Sequence, residues 1–115
     1  MGKINNRDIP EYVRRKEGFI NNNGNVFGRW FNSGYAVHSY ELSWPIAFWD
    51  RQTETWYTHD DKISVTTSKH TTYVRRGIGV NYVTLPHVHD LITMVIHGYT
   101  GAVAHKLTQH KGVTT

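Results

Sequence analysis

The sequence contains no cysteine. Disulfide bridges and thiolate metal sites are therefore excluded, and the chain suits a reducing compartment. Long apolar runs are also missing. No stretch approaches the roughly 18 residues that a membrane-spanning helix needs, so no membrane partner is expected. The segment Met1–Arg7 has no apolar signal core, which predicts a cytoplasmic protein. Acid is scarce in one half only. Residues 62–115 hold six Lys and Arg against one acid, Asp90, whereas residues 1–61 hold seven against eight. The second half thus carries +5 and the first −1, within a net charge of +4. Such asymmetry points to an anionic partner.

What the chain does have is aromatic area. Four Trp, seven Tyr and four Phe can each bury about 150–250 Å², which is much of what a chain this short can build into a core. One domain is expected over residues 1–115, with frayed termini. The segment DIPEYVRRKE reads as a helix over residues 8–17, with Pro10 in its first turn and Gly18 as its stop. The run NNNGN, residues 21–25, reads as a hairpin turn between Phe19-Ile20 and Val26-Phe27. Strands are expected at 35–40, 45–50 and 55–59, joined by polar turns into a small antiparallel meander. In PHVHDLITMVIHG, Val88, Leu91, Ile92, Val95 and Ile96 recur at helical spacing. That predicts the longest helix over about residues 86–97, packed on the sheet and stopped by Gly98. The expected fold is α+β, with two or three helices.

The stretch KISVTTSKHTTYVRR, residues 62–76, holds six Ser/Thr hydroxyls, five basic or imidazole side chains and no acid. Two conformations fit it. As a strand, its β-branched content is right, but neither alternate face is apolar. As a helix from Ser68, Thr67 becomes the N-cap and Gly77 the stop. A helix start presents unpaired N–H groups and a partial positive charge. Thr66, Thr67, Ser68 and Lys69 beside it would complete an anion site. Lys69, Tyr73 and Arg76 would share one face. His70 would add a donor, Arg75 and Arg76 charge, and Tyr40 a ring to stack on a base.

Other constellations carry less. His87-Val88-His89-Asp90 lacks the spacing of a metallo-hydrolase, and on a helix His87 and His89 point apart. No metal and no cofactor are expected. Asp50, Glu54, Asp60 and Asp61 could form a carboxylate pair, but they sit in turns, where acids are common. Gly77-Ile78-Gly79 reads as turn chemistry. Trp30, Trp44, Trp49 and Trp56 should mostly build the core, with Trp44 in a loop as the ring left free.

The segments HSYELSWPIAFWD, TWY and DKISVTTSKHTTYVRR resemble a widespread family of small bacteriophage proteins to which no activity is attached. The likeness covers residues 38–76, and Thr-Thr-Ser-Lys-His is its distinctive core. The chain departs from the family pattern at Ile63 and Thr71, where members often carry Tyr and Gln. The resemblance implies a phage context and singles out Ser39, Tyr40, Asp61, Lys62 and Thr66–His70. Together these readings predict a non-enzymatic binding protein for a phosphate-bearing ligand, either nucleic acid or a free nucleotide such as a host defence signal. Two alternatives remain at this stage: an inhibitor that covers an acidic surface of a host protein, and a small metal-dependent nuclease or hydrolase. Homo-oligomers are compatible with either binding role.

Overall fold

A computed structural model describes residues 2–39, 44–61 and 65–114, with the backbone alone at 65–68 and 105–114. The chain begins with a 3-10 turn at Asn6–Asp8 and helix α1, Ile9–Arg15. Strands β1 (Phe19–Ile20), β2 (Val26–Trp30), β3 (Gly34–Ser39), β4 (Pro45–Asp50) and β5 (Thr55–His59) follow. Helix α2, Val65–Ile78, leads to β6, Tyr82–Leu85, and helix α3, Val88–Thr114, closes the chain. The sheet runs in sequence order, β1 to β6. Its first five strands are antiparallel, as the meander predicted, and β6 lies parallel to β5. Parallel neighbours need a crossover of a dozen or more residues, and α2 provides it. The fold is α+β.

Helices cover both faces of the sheet. α1 and α2 pack on one face over Tyr35, Val37, Ala47 and Trp56, adding Ile9, Val13, Val74 and Ile78. α3 packs on the other over Ala36, Phe48 and Tyr57, adding Leu91, Met94, Val95 and Ala102. This sandwiching explains why every residue of β3 is buried. A bulge sets the register between the two central strands. Val37 pairs with Ala47 and His38 with Pro45, so Ile46 is the extra residue. It joins Ala47 in the core against α1 and α2, as the two residues of a bulge turn to one side.

Several boundaries differ from those the sequence suggested. α1 stops at Lys16, not at Gly18. Lys16 takes the left-handed conformation at φ 55° and ψ 46°, and the N–H groups of Lys16 and Glu17 close the helix on Val13 and Tyr12. In α3, Ile96 is 66% exposed, so the buried stripe follows Val88, Leu91 and Met94-Val95 instead. Gly98, the expected stop, interrupts α3 at φ 73° and ψ 175°, yet helical backbone resumes beyond it.

Gly77 is not the stop of α2. The helix passes through it, and the chain turns at Gly79, whose φ is +80°. Gly77 is instead where α1 and α2 touch. A Cβ there would lie 2.6 Å from the Pro10 carbonyl oxygen and 2.7 Å from Val13 Cβ. Overpacking of this kind costs about 1–3 kcal/mol, and the better helix propensity of alanine returns up to about 1 kcal/mol. Gly77→Ala is therefore expected to lower stability by about 1–2 kcal/mol in urea denaturation. Unchanged stability would mean that the helices separate at no cost.

Candidate functional site

α2 carries most of the residues singled out in the sequence. It already includes Val65 and Thr66, so Thr67 lies inside the helix and cannot be its N-cap. Thr66, Thr67 and Ser68 occupy its first described turn, and their side chains lie outside the described residues, as does Tyr40. Lys69 and Arg76 are exposed. The Arg76 guanidinium stands 5.7 Å from the Tyr73 ring. Spacing of i, i+4 and i+7 puts the three on one side of the helix.

His70 faces the other way. It is 3% exposed, and its Nδ1 lies 2.8 Å from Ser39 Oγ on β3. Burial lowers its pKa, so at neutral pH it is an uncharged tie between α2 and the sheet and does not serve an anion in solvent. Arg75 is half-buried, with its guanidinium 5.7 Å from the Tyr82 ring. Its Nε is buried without a hydrogen-bond partner.

Arg75 also lines a cavity of about 350 Å³ with Asp60, Asp61, His59, Thr71 and Thr72. Two carboxylates against one guanidinium make this cavity a poor phosphate site. Its residues are already engaged. His59 Nε2 donates to the Pro45 carbonyl at 2.9 Å, and Nδ1 accepts the Asp61 N–H at 3.1 Å. These bonds define the neutral Nε2–H tautomer. Asp61 Oδ2 accepts the Val88 N–H at 2.9 Å and so caps α3, which holds its carboxyl below the usual pKa. His87 stands 3.7 Å from Asp61. Among the described residues, no three His, Asp or Glu side chains gather as a metal ion would need.

A larger cavity, about 470 Å³, opens beside α3 between Phe31, His38, Pro45, Ile92, Val95 and Ile96. Its wall is mostly apolar, with Asn32 and Ser33 at its edge, and among the described residues no Lys or Arg lines it, so it is a poor phosphate site.

A second arrangement was not foreseen from the sequence. Trp30, Tyr35, Trp49, Trp56 and Tyr82 are successive cross-strand partners on β2, β3, β4, β5 and β6. Residues in register share a face, so five aromatic rings run straight across the sheet. The rings touch edge to face: Trp30 and Tyr35 centroids are 5.5 Å apart, Trp30 and Trp49 6.0 Å, and Tyr35 and Trp56 6.1 Å. Tyr35 and Trp56 are buried, Trp49 and Tyr82 are half-buried, and Trp30 is 42% exposed.

Cations ride on this ladder. Lys16 Nζ is 4.7 Å from the Trp49 ring and 5.8 Å from Trp56. The Arg51 guanidinium is 4.9 Å from Trp30. With Arg75 on Tyr82, a positive side chain sits near the face of four of the five rings. Trp30 Nε1 also donates to the Lys16 carbonyl at 2.8 Å. Trp44, the ring expected to be free, instead meets His59 edge to face at 5.5 Å. The signal for the ladder was countable. Trp30 and Tyr35 flank one turn symmetrically, and Trp49 and Trp56 flank the next.

Neither protein-family models, nor curated proteins, nor solved structures match the chain.

Proposed function

We propose that this chain binds a phosphate-bearing ligand without turning it over, and that Lys69 and Arg76 on the outer side of α2 hold the phosphate. One observation supports this reading above the others. The ion pairs formed among the described residues join Glu11 to Arg14 and Arg15, and Asp61 to His87. The arginines of α1 thus share an acid on their own helix, whereas α2 has no acid from Val65 to Ile78. Exposed cations with no acid on their own helix favour an anionic ligand.

Thr66, Thr67 and Ser68 enter the reading through their place in the first turn of α2, within three residues of Lys69. His70 leaves it, because it is tied to Ser39. The resemblance to phage proteins adds a context in which nucleic acid and host signalling nucleotides are both at hand, and both carry phosphate.

Salt dependence and substitution test the proposal together. Binding of a short labelled oligonucleotide should weaken steeply between 50 and 200 mM salt. Lys69→Ala and Arg76→Ala should each weaken it and reduce the log–log slope by about 1. If both variants bind like the parent with the same slope, α2 is not the phosphate-binding element.

A further inference from the structure

We infer that the phosphate-bearing ligand is a single-stranded nucleic acid, whose bases stack at Trp30, the open end of the aromatic ladder. The inference rests on the phosphate-binding reading above and narrows it to one class of ligand.

Three observations carry it. The first is the ladder itself. Burial explains Tyr35 and Trp56, which close the core against α1 and α2. It does not explain Trp30, the largest side chain type, placed at the end of the row and left 42% exposed. Bases are flat and stack on such rings whatever their sequence. A duplex keeps its bases stacked inside and presents only their edges in the grooves, so an exposed ring on a sheet meets unpaired bases.

The second is the charge pattern. Lys16 lies 4.7 Å from Trp49 and Arg51 4.9 Å from Trp30. Tyr35 and Trp56 are buried under α1 and α2, so the part of the row open to a strand is its Trp30 end, where one stacked base meets two cations. An arginine over a tryptophan also offers its own flat face, so a base can stack on Arg51 as well as on the indole.

The third is the backbone of Lys16. A lysine in the left-handed conformation is strained by about 1–2 kcal/mol relative to a right-handed one, and glycine is the usual occupant of such a helix end. The sequence has Gly18 two residues on and does not use it. The left-handed turn sends the Lys16 ammonium back over Trp49 and Trp56. Strain of this kind collects where a side chain is held for a ligand.

Fluorescence anisotropy with a labelled twelve-nucleotide oligo-dT, a twelve-base-pair duplex and thymidine monophosphate as competitor tests the inference on the full chain. Oligo-dT should bind at least tenfold tighter than the duplex. Trp30→Ala should weaken it about tenfold or more, within the range for one stacked base, and Trp30→Phe should weaken it less. Lys16→Gly should keep the fold and still weaken oligo-dT, because it relieves the backbone while removing the cation. Melting curves of each variant separate binding loss from unfolding. Where Trp30→Ala does not fold, Trp30→Phe and Lys16→Gly carry the test. Equal binding of duplex and oligo-dT, both lost in Lys69→Ala but unchanged in the Trp30 and Lys16 variants, overturns the inference and leaves the phosphate reading standing. Loss of binding in the monophosphate competition at stoichiometric levels overturns it in favour of a nucleotide site. No binding to any of the three removes both.

Discussion

Acidification from pH 7 to pH 5 is expected to destabilise the protein by at least about 2 kcal/mol, well before carboxylate titration dominates. Among the described residues, three histidines are buried: His38, His59 and His70. His38 is the extreme case. It is 1% exposed, its ring stacks on Phe27 at 5.2 Å and meets Phe31 at 5.7 Å, and its Nδ1 has no hydrogen-bond partner. Burial, and secondarily the charge of Arg29, pushes its pKa down to about 4. The unfolded chain binds a proton at this residue with a pKa of about 6.5. Below that value the unfolded state is protonated first, so the stability present at neutral pH is lost as pH falls from about 6.5 towards 4.

At pH 5 the His38 contribution alone is about 2 kcal/mol, and full development is about 3 kcal/mol. Burial lowers the pKa of His59 and His70 as well. Their contributions therefore have the same sign. For His59, protonation of Nδ1 also removes the acceptor of the Asp61 N–H. A domain of this size has about 5–15 kcal/mol in hand, so a visible fraction disappears within two pH units. Urea denaturation at pH 7, 6 and 5 measures the loss. His38→Phe should flatten the profile, since phenylalanine keeps the stack on Phe27 without a titrating group. A flat profile in the parent between pH 7 and 5 would show that His38 gains a proton in place at little cost.

These histidines also mark the limit of what the sequence could tell. Histidine was abundant in the sequence, but abundance does not distinguish a buried tie from an exposed donor. His70 stood in a hydroxyl-rich, basic stretch and looked like part of an anion site. Its partner, Ser39, is 31 residues away, and only the packing of α2 on β3 brings them together. The central strands were legible because β-branched and aromatic runs there are bounded by polar turns. β6 was not, since its four residues pair in parallel with β5 across the whole of α2. Its side chains are half-buried or exposed, so it carries no strong apolar pattern.

The misreading of Gly77 has the same origin. Glycine at the end of a helical pattern is ordinarily a stop, and only α1, more than sixty residues earlier, makes it a contact. Lys16 fell inside the helix expected over residues 8–17 and Arg51 in the polar turn expected between two strands. They became site candidates once the register put Trp30, Trp49 and Trp56 in one row. Counting outward from two turns gives the pairs Trp30–Tyr35 and Trp49–Trp56, but joining them needed the β3–β4 register, which the bulge at Ile46 shifts. Tyr82 needed β6.

Asp50→Ala is expected to cost about 3–4 kcal/mol, although the residue sits at a strand end beside a polar turn. Asp50 is 0% exposed. Its Oδ2 accepts the Thr53 N–H and the Thr53 hydroxyl, each at 2.8 Å. Its Oδ1 accepts the Tyr99 N–H at 3.0 Å. One carboxylate thus fixes the β4–β5 turn and the restart of α3 after Gly98. The restart needs both residues. Gly98 supplies a φ of +73° that side chains rarely adopt, and Tyr99 opens a new helical segment whose first N–H groups have no partner within the helix. A negative charge at that point also suits the helix dipole. Hydrogen bonds to a charged group contribute about 1.5–3 kcal/mol each. Three are lost in the alanine variant, and water can reach the exposed Thr53 and Tyr99, which returns part of the loss. Asp50→Asn keeps the shape but must turn an NH₂ towards one set of donors, so it should fall between parent and Asp50→Ala. Urea denaturation gives the size, and hydrogen exchange gives the place. In Asp50→Ala, amides from Tyr99 onward should exchange faster than those of Val88–His97, whose contacts with Phe48 and Tyr57 are untouched. A loss under about 1 kcal/mol with uniform exchange along α3 would show that the second half of the helix is held by Ala102 and its apolar neighbours alone.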